Sequence, residues 1–137
     1  MRLITLLFSA LVVMTACQNQ AAEKMTVDQN TVTTIQWLDS TLDKGTIVEG
    51  QKIEIAFRFK NSGTKPLVIR SVQPSCGCTV ADFPKEPIAP GGEGIIKGVF
   101  DSKGKPGPNM KTMTVFANTE GQETHQLSFS VNVQKKD

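Results

Sequence analysis

Strict alternation of apolar and polar side chains constrains the fold of this chain more than any other feature. One alternating segment spans residues 52–60 and places Ile53, Ile55, Phe57 and Phe59 on one side of an extended chain. A second spans residues 126–133 and aligns Leu127, Phe129, Val131 and Val133 in the same way. Successive side chains of a strand point to opposite faces of a sheet, so each segment predicts a half-buried strand. No stretch after residue 25 has the apolar period of an amphipathic helix, and the sequence therefore predicts an all-β fold.

Shorter apolar segments fill the rest of the chain. They are residues 31–38, 46–48, 66–72, 79–83, 94–100 and 111–117. Turn-forming clusters rich in Gly, Pro and Asn separate them, and one cluster, residues 104–109, predicts an exposed hairpin loop. About seven short strands at regular spacing are typical of a β-sandwich.

The core of this sandwich is expected to come from the alternating segments and from the shorter ones. Its predicted members are Ile53, Ile55, Phe57, Phe59, Leu67, Ile69, Val99, Val115, Leu127, Phe129 and Val131. Trp37 is expected to cap an early strand. A chain of 137 residues is long enough for one domain whose core needs no disulfide.

The composition argues against two classes of function. The formal net charge is only +2 and no basic block is present, so the sequence predicts no nucleic-acid partner. A single histidine leaves few groups for acid–base chemistry near neutral pH, and no catalytic motif accompanies it. We therefore expect a protein that is not an enzyme and that carries no catalytic residues.

The pattern of the first residues is typical of an export signal. Arg2 precedes an apolar run from residue 3 to residue 14, which is shorter than the roughly 20 residues that a membrane-spanning helix needs. Small residues follow, and cleavage after Ala16 leaves Cys17 as the first residue. This ending resembles the lipobox of bacterial lipoproteins, which implies acylation of Cys17, including palmitate. An ordinary signal peptide with an incidental cysteine is the alternative.

This interpretation divides the chain into three parts. Residues 1–16 are a cleaved lipoprotein signal peptide, residues 17–30 a lipidated cysteine and flexible tether, and residues 31–137 the β-sandwich domain. Acyl chains contribute about 0.8 kcal/mol per buried methylene, so several of them on Cys17 would hold the protein stably in a membrane.

Five short motifs occur in an order that suggests a known family. They are GTIVEG at residues 45–50, FRFKNSG at 57–63, PLVI at 66–69, SCGCT at 75–79 and PIAPG at 87–91. Together they resemble a bacterial domain family of unknown function that is marked by the SCGCT signature and is abundant in Bacteroidetes lipoproteins. The resemblance covers about residues 32–133.

The resemblance implies an immunoglobulin-like sandwich related to Hydin, major-sperm-protein and pilus-chaperone domains, with no established activity. Family members often have Asp-Phe-Gly where this chain has Asp43-Lys44-Gly45, so we expect the early strand to pack differently here. Surface-exposed lipoproteins of the Bacteroidetes often carry a dense acidic run after the lipidated cysteine. None follows Cys17, which favours an outer-membrane anchor that faces the periplasm.

Cys76 and Cys78 form the most distinctive candidate site. Residues i and i+2 of an extended segment point to the same face, and Gly77 between them permits a kink that would bring the sulfurs together. Export favours a local disulfide, and so small a loop makes it strained and labile. Two alternatives stay open. One is a redox pair, and the other is a Cu(I) or Zn site completed by His125 or by a methionine, Met110 or Met113.

One further motif is a candidate for modification. Asp39-Ser40-Thr41 matches the short O-glycosylation pattern of Bacteroidetes at Ser40, and a polar turn explains the same residues equally well. Taken together, the sequence predicts a non-enzymatic envelope lipoprotein that acts as an interaction or scaffold module for another envelope protein, without a cofactor. Sheet edges that accept a partner strand are one way for it to bind. A periplasmic metal- or thiol-handling protein is the alternative function.

Overall fold

The computed structural model describes residue 28, residues 30–77 and residues 79–136, except for the side chain of Val80. The predictions for the signal peptide, for Cys17 and for Cys78 lie outside the described residues. Within the described part the fold is all-β. The strands are β1 Ile35–Trp37, β2 Thr41–Val48, β3 Lys52–Asn61, β4 Ile69–Pro74, β5 Thr79–Asp82, β6 Glu93–Asp101, β7 Gly107–Ala117 and β8 Thr124–Gln134.

The strands form two four-stranded sheets. The order in sheet I is β1-β3-β6-β5, and in sheet II it is β2-β8-β7-β4. Neighbouring strands are antiparallel except β2 and β8, which are parallel. The chain crosses between the sheets at both sides, from β1 to β2 on one side and from β4 to β5 on the other. The predicted β-sandwich is therefore confirmed.

The core lies between the two sheets and is built from the inward sets of both alternating segments. Ile55, Phe57 and Phe59 of β3 are fully buried, and they meet inward residues of β7 and β8. The full set of core residues is Ile55, Phe57, Phe59, Leu67, Ile69, Ile88, Ile96, Phe100, Met113, Val115, Ala117, Leu127, Phe129, Val131 and Val133. Burying one such side chain stabilises the fold by about 1.5–3 kcal/mol.

The structure corrects some of the sequence predictions. Val99 was predicted in the core, but it is 41% exposed because its neighbours Ile96 and Phe100 take the inward positions of β6. Ile53 is only partly buried. The loop predicted over residues 104–109 is shorter, since β7 already begins at Gly107. Eight strands are described rather than about seven.

Two buried asparagines fasten the loops at one end of the sandwich. Asn61 is fully buried; its Nδ2 donates to the carbonyls of Lys65 and Ile88, and its Oδ1 accepts from Thr33 and from the Gly63 amide. Asn118 bonds in the same way to Thr31 O, Pro66 O and Val68 N. These side chains tie together segments that are far apart in sequence.

The four sheet edges are poor templates for an added strand. The edges of sheet I are β1 and β5, with three and four residues. In sheet II, β2 has a register shift between Asp43 and Thr46, where Gly45 has a φ of 64°. Strand β4 has a register shift and ends at Pro74, which lacks an amide hydrogen. Short, bulged and proline-bearing edges oppose strand addition.

Candidate functional site

The Cys76 turn lies where the chain leaves sheet II for sheet I. The edge strand β4 ends at Pro74 and the edge strand β5 begins at Thr79, so the turn closes one side of the sandwich. Ser75 anchors it to β7: the Ser75 amide donates to Thr112 O at 2.9 Å, and Ser75 Oγ accepts from the Thr112 amide at 3.2 Å. The Thr79 amide donates to Cys76 O at 3.4 Å and completes the turn.

The Cys76 side chain is half-buried, and its sulfur lies 4.0 Å from Thr79 Oγ1. The sulfur takes part in an interaction and is not a free thiol. Its pairing with Cys78 stays a prediction, because Cys78 lies outside the described residues.

Gly77 is exposed and stands in open space. Its φ is outside the left-handed region, and an added Cβ would meet no atom within 4 Å. Neither backbone conformation nor packing within the described residues therefore requires glycine at this position. The bare backbone leaves the turn open to approach from solvent.

His125 lies in a different part of the sandwich from Cys76. It is the second residue of β8, which is separated from the edge strand β4 by β7. Its ring packs at a tilt against Trp37 of β1, with centroids 5.8 Å apart. His125 Nε2 is 2.8 Å from Thr119 Oγ1, whose single hydrogen goes to the Gln122 carbonyl. Thus Nε2 carries the proton and donates to Thr119. Burial lowers the pKa of the imidazole below its ordinary value.

The structure does not bring His125 to Cys76, and it places the two methionines on opposite faces of β7. Met113 is buried in the core beside Pro74, whereas Met110 is 75% exposed on the outer face of β7. In the part of the chain that the structure describes, no cluster of three or more His, Cys, Asp or Glu could hold a metal ion. The Cu(I) or Zn alternative has no support from the described residues.

Ser40 is exposed in the short connection between β1 and β2. Its carbonyl accepts from the Ser128 amide, which leaves the side chain at the surface. The preceding Asp39 forms an ion pair with Arg58 at 2.7 Å, and this hydrogen-bonded partner lowers the pKa of the Asp39 carboxyl. Glycosylation of Ser40 stays a prediction that the exposed position permits.

A shallow apolar groove on the outer face of sheet I was missed by the sequence reasoning. It has a volume of about 290 Å³ and crosses β3, β6 and β5. Its apolar side chains are Ala56, Ile95 and Val99, and the last two are 40% and 41% exposed. The charged groups around them are Glu54, Asp82 and Lys97. The adjacent apolar pairs Ile95-Ile96 and Val99-Phe100 were the available signal, since such pairs place apolar side chains on both faces of one strand.

Comparison with known proteins identifies the family. The model described as a protein of unknown function (DUF1573) matches residues 35–133. The chain belongs to this family. The match runs from the first residue of β1 almost to the end of β8, so it covers the whole sandwich. No curated protein matches the chain in sequence.

Solved structures place this DUF1573 chain among immunoglobulin-like, PapD-like sandwiches. A protein of unknown function from Porphyromonas gingivalis W83 matches with a TM-score of 0.65 at 16% identity, over 77% of this chain and 49% of its own. PapD-like (ASH) domain 7 of human CEP192 matches with a TM-score of 0.54 at 15% identity, over 85% and 96%. The periplasmic chaperone SfaE matches with a TM-score of 0.50 at 12% identity, over 76% and 59%.

At such identities the likeness shows the fold alone. The chain spans about half the length of the Porphyromonas gingivalis protein and less than a third of the Vibrio cholerae VesB protease, another structural neighbour. The predicted relation to pilus-chaperone folds is confirmed at the level of fold. In the described part of the chain, no helix is long and apolar enough to cross a membrane.

Proposed function

We propose that this chain is an envelope lipoprotein that is anchored through acylated Cys17 and binds another protein through the outer face of sheet I. The observation that carries the proposal is the groove around Ile95 and Val99, because exposed apolar side chains that line one groove are typical of interaction surfaces. The short or irregular sheet edges favour binding to this face over strand addition.

The sequence supports the location. An export signal that ends at Ala16, followed by Cys17 and a polar tether, is the arrangement of a lipid-anchored protein of the outer membrane that faces the periplasm. One protein with the same fold is described as a periplasmic chaperone, which agrees with a periplasmic binding role for this sandwich. A rigid domain on a tether of about a dozen residues acts as a scaffold module.

Anchoring is tested by expressing the full chain and its Cys17→Ala variant in a bacterium that processes lipoproteins. The parent is expected to incorporate labelled palmitate and to remain with the membrane fraction in high salt. The variant is expected to do neither. If the label and the membrane attachment persist without Cys17, the anchor assignment is wrong.

Binding through the groove is tested by cross-linking in intact cells. A photoreactive side chain at Ala56 is combined with Val99→Glu, which places a charge in the centre of the groove. Removing one apolar contact of this size lowers binding by about tenfold or more. Val48→Glu is the matched control, since Val48 is also 41% exposed but lies on β2 of sheet II. Equal cross-linking by parent and Val99→Glu would contradict the proposal.

A thiol-handling role for Cys76 and Cys78 is the second candidate, and the open space at Gly77 favours it. An incoming dithiol would reduce their disulfide, becoming a disulfide itself as two electrons and two protons pass to the cysteine pair. Mass analysis with thiol labelling, with and without mild reductant and with Cu(I) or Zn added, is the test. A disulfide that resists mild reductant, together with no metal uptake, excludes this candidate.

A further inference from the structure

The outer face of sheet I has a charge pattern that complements itself. Its outward residues form rows across the strands, and register places Lys52 beside Asp101, Lys60 beside Glu93, and Lys97 beside Asp82. Each of these rows therefore contains one ammonium and one carboxylate. The apolar side chains Ile95 and Val99 lie in the two rows on either side of Lys97.

Lys97 and Asp82 form the central row, and they do not form an ion pair with each other. Among the ion pairs of the described residues, one joins Lys52 to Asp101 at 3.7 Å, but none includes Lys97 or Asp82. Both side chains are exposed. They flank the groove together with Glu54, which is in register with Val99, so a partner that covers Ile95 and Val99 also has to meet charged groups of both signs.

We propose that a second copy of this chain docks on this face, so that the outer faces of two sheets I pack against each other. A two-fold axis parallel to the strands, between β6 and β5, sets Lys97 of one copy opposite Asp82 of the other, and the same pair forms again by symmetry. Ile95 and Val99 of both copies then lie on either side of the axis, near the centre of the contact, with Ala56 at its margin. This inference rests on the proposed function, because it names the partner of the groove.

The contact is small. Three apolar side chains and a row of charges bury less area than the roughly 800 Å² per partner of a stable interface, so the dimer is weak in dilute solution. Anchoring both copies in one membrane raises their effective concentration, because each then searches only a thin layer near the surface. Association is therefore expected to be much stronger in the membrane than in solution.

Charge-reversal variants of two co-expressed, differently tagged chains test the proposal in membranes. Full-length chains with different tags and a photoreactive side chain at Ile95, beside the proposed axis, are co-expressed, and a cross-linked species that carries both tags at about twice the mass of the mature chain marks the dimer. Lys97→Glu alone or Asp82→Lys alone puts like charges opposite each other twice. Each is expected to lower the yield roughly tenfold.

Complementary variants are expected to restore the dimer. A copy with Lys97→Glu, mixed with a copy with Asp82→Lys, has an opposite-charge pair at both symmetric positions, and so does the double variant mixed with itself. A structural defect in either single variant would not be repaired by mixing. Lys44→Glu is the control charge reversal, because Lys44 is exposed on β2 of sheet II.

The remaining outcomes separate this inference from the proposed function. No dual-tag species in the parent overturns the second-copy proposal, and so does a dual-tag species that the charge variants leave unchanged. If the parent instead cross-links at Ala56 to a different protein, and Val99→Glu abolishes that product, the groove is an interaction site but its partner is not this chain.

Discussion

Removal of the Asn61 side chain is expected to destabilise the sandwich by several kcal/mol. In Asn61→Ala, the deeply buried Thr33 hydroxyl loses its 3.0 Å hydrogen bond, whereas the Ile88 carbonyl loses the 2.9 Å bond from Asn61 but keeps the one from the Leu67 amide. A buried polar group left without a partner costs about 1–3 kcal/mol and a further lost hydrogen bond about 0.5–1.5 kcal/mol, so the two together cost about 2–4 kcal/mol. The Lys65 carbonyl and the Gly63 amide are only partly buried and can recover bonds to water. The loss is large against a typical stability of about 5–15 kcal/mol.

Urea unfolding followed by fluorescence measures this change, because Trp37 is the single tryptophan and packs against Phe59 in the core. With a typical slope of about 1–3 kcal/mol per molar urea, a loss of about 3 kcal/mol moves the midpoint by about 1.5 M. Asn132→Ala is the matched control, since Asn132 is exposed on β8, and its change should stay within about 0.5 kcal/mol. A loss below about 1 kcal/mol for Asn61→Ala would refute the role assigned to the buried amide.

Three further substitutions test packing, the Cys76 turn and pH dependence. Gly94→Ala is expected to cost about 1–3 kcal/mol in urea unfolding, because its Cβ would meet the Phe59 ring. Gly77→Ala should change stability by less than about 0.5 kcal/mol, since its Cβ meets nothing; a larger loss would show that the turn needs glycine. Burial lowers the pKa of His125 in the folded state, so the unfolded chain binds the proton more readily. The contribution of His125 to the free energy of unfolding is therefore at its full value above about pH 6.5, and it falls as the pH drops from there towards the pKa of the folded state. His125→Gln, which can still donate to Thr119, should abolish this step in unfolding measured between pH 7.5 and 5; an unchanged step would assign it to other groups.

The alternating pattern predicted β3 and β8 well because each has an apolar face and a polar face. In both strands the inner set includes buried Phe side chains, and a shift by one residue would move those side chains into water. The local pattern carries much less information about which strands pair with each other. The parallel contact of β2 with β8 joins residues about 87 positions apart, as between Thr41 and Ser128, and no local signal in the sequence specifies it.

The polar sites show the same division between local and distant information. Asn61-Ser62-Gly63 is a turn-forming sequence, and Asn61 Oδ1 accepts from the Gly63 amide two residues on. Its other side-chain bonds reach Thr33, 28 residues back, and Ile88, 27 residues forward. These partners are specified only once the sandwich has formed. For the same reason the sequence could suggest Cys76 and His125 as a pair, whereas the strand order separates them.

The wrong assignment of Val99 follows from the strand that pairs with β6. The inward positions of β6 include Gly94 and Gly98, so neither face of the strand is apolar throughout, and Val99 and Ile95 make the outer face look equally suited to the core. In the folded chain, Phe59 lies opposite Gly94 and Ile55 opposite Gly98. The large side chains of β3 occupy the space that β6 leaves empty, and at Gly94 an added Cβ would clash with the Phe59 ring. The glycine face can therefore pack inward, which directs Ile95 and Val99 to the surface and creates the groove to which the proposed partner binds.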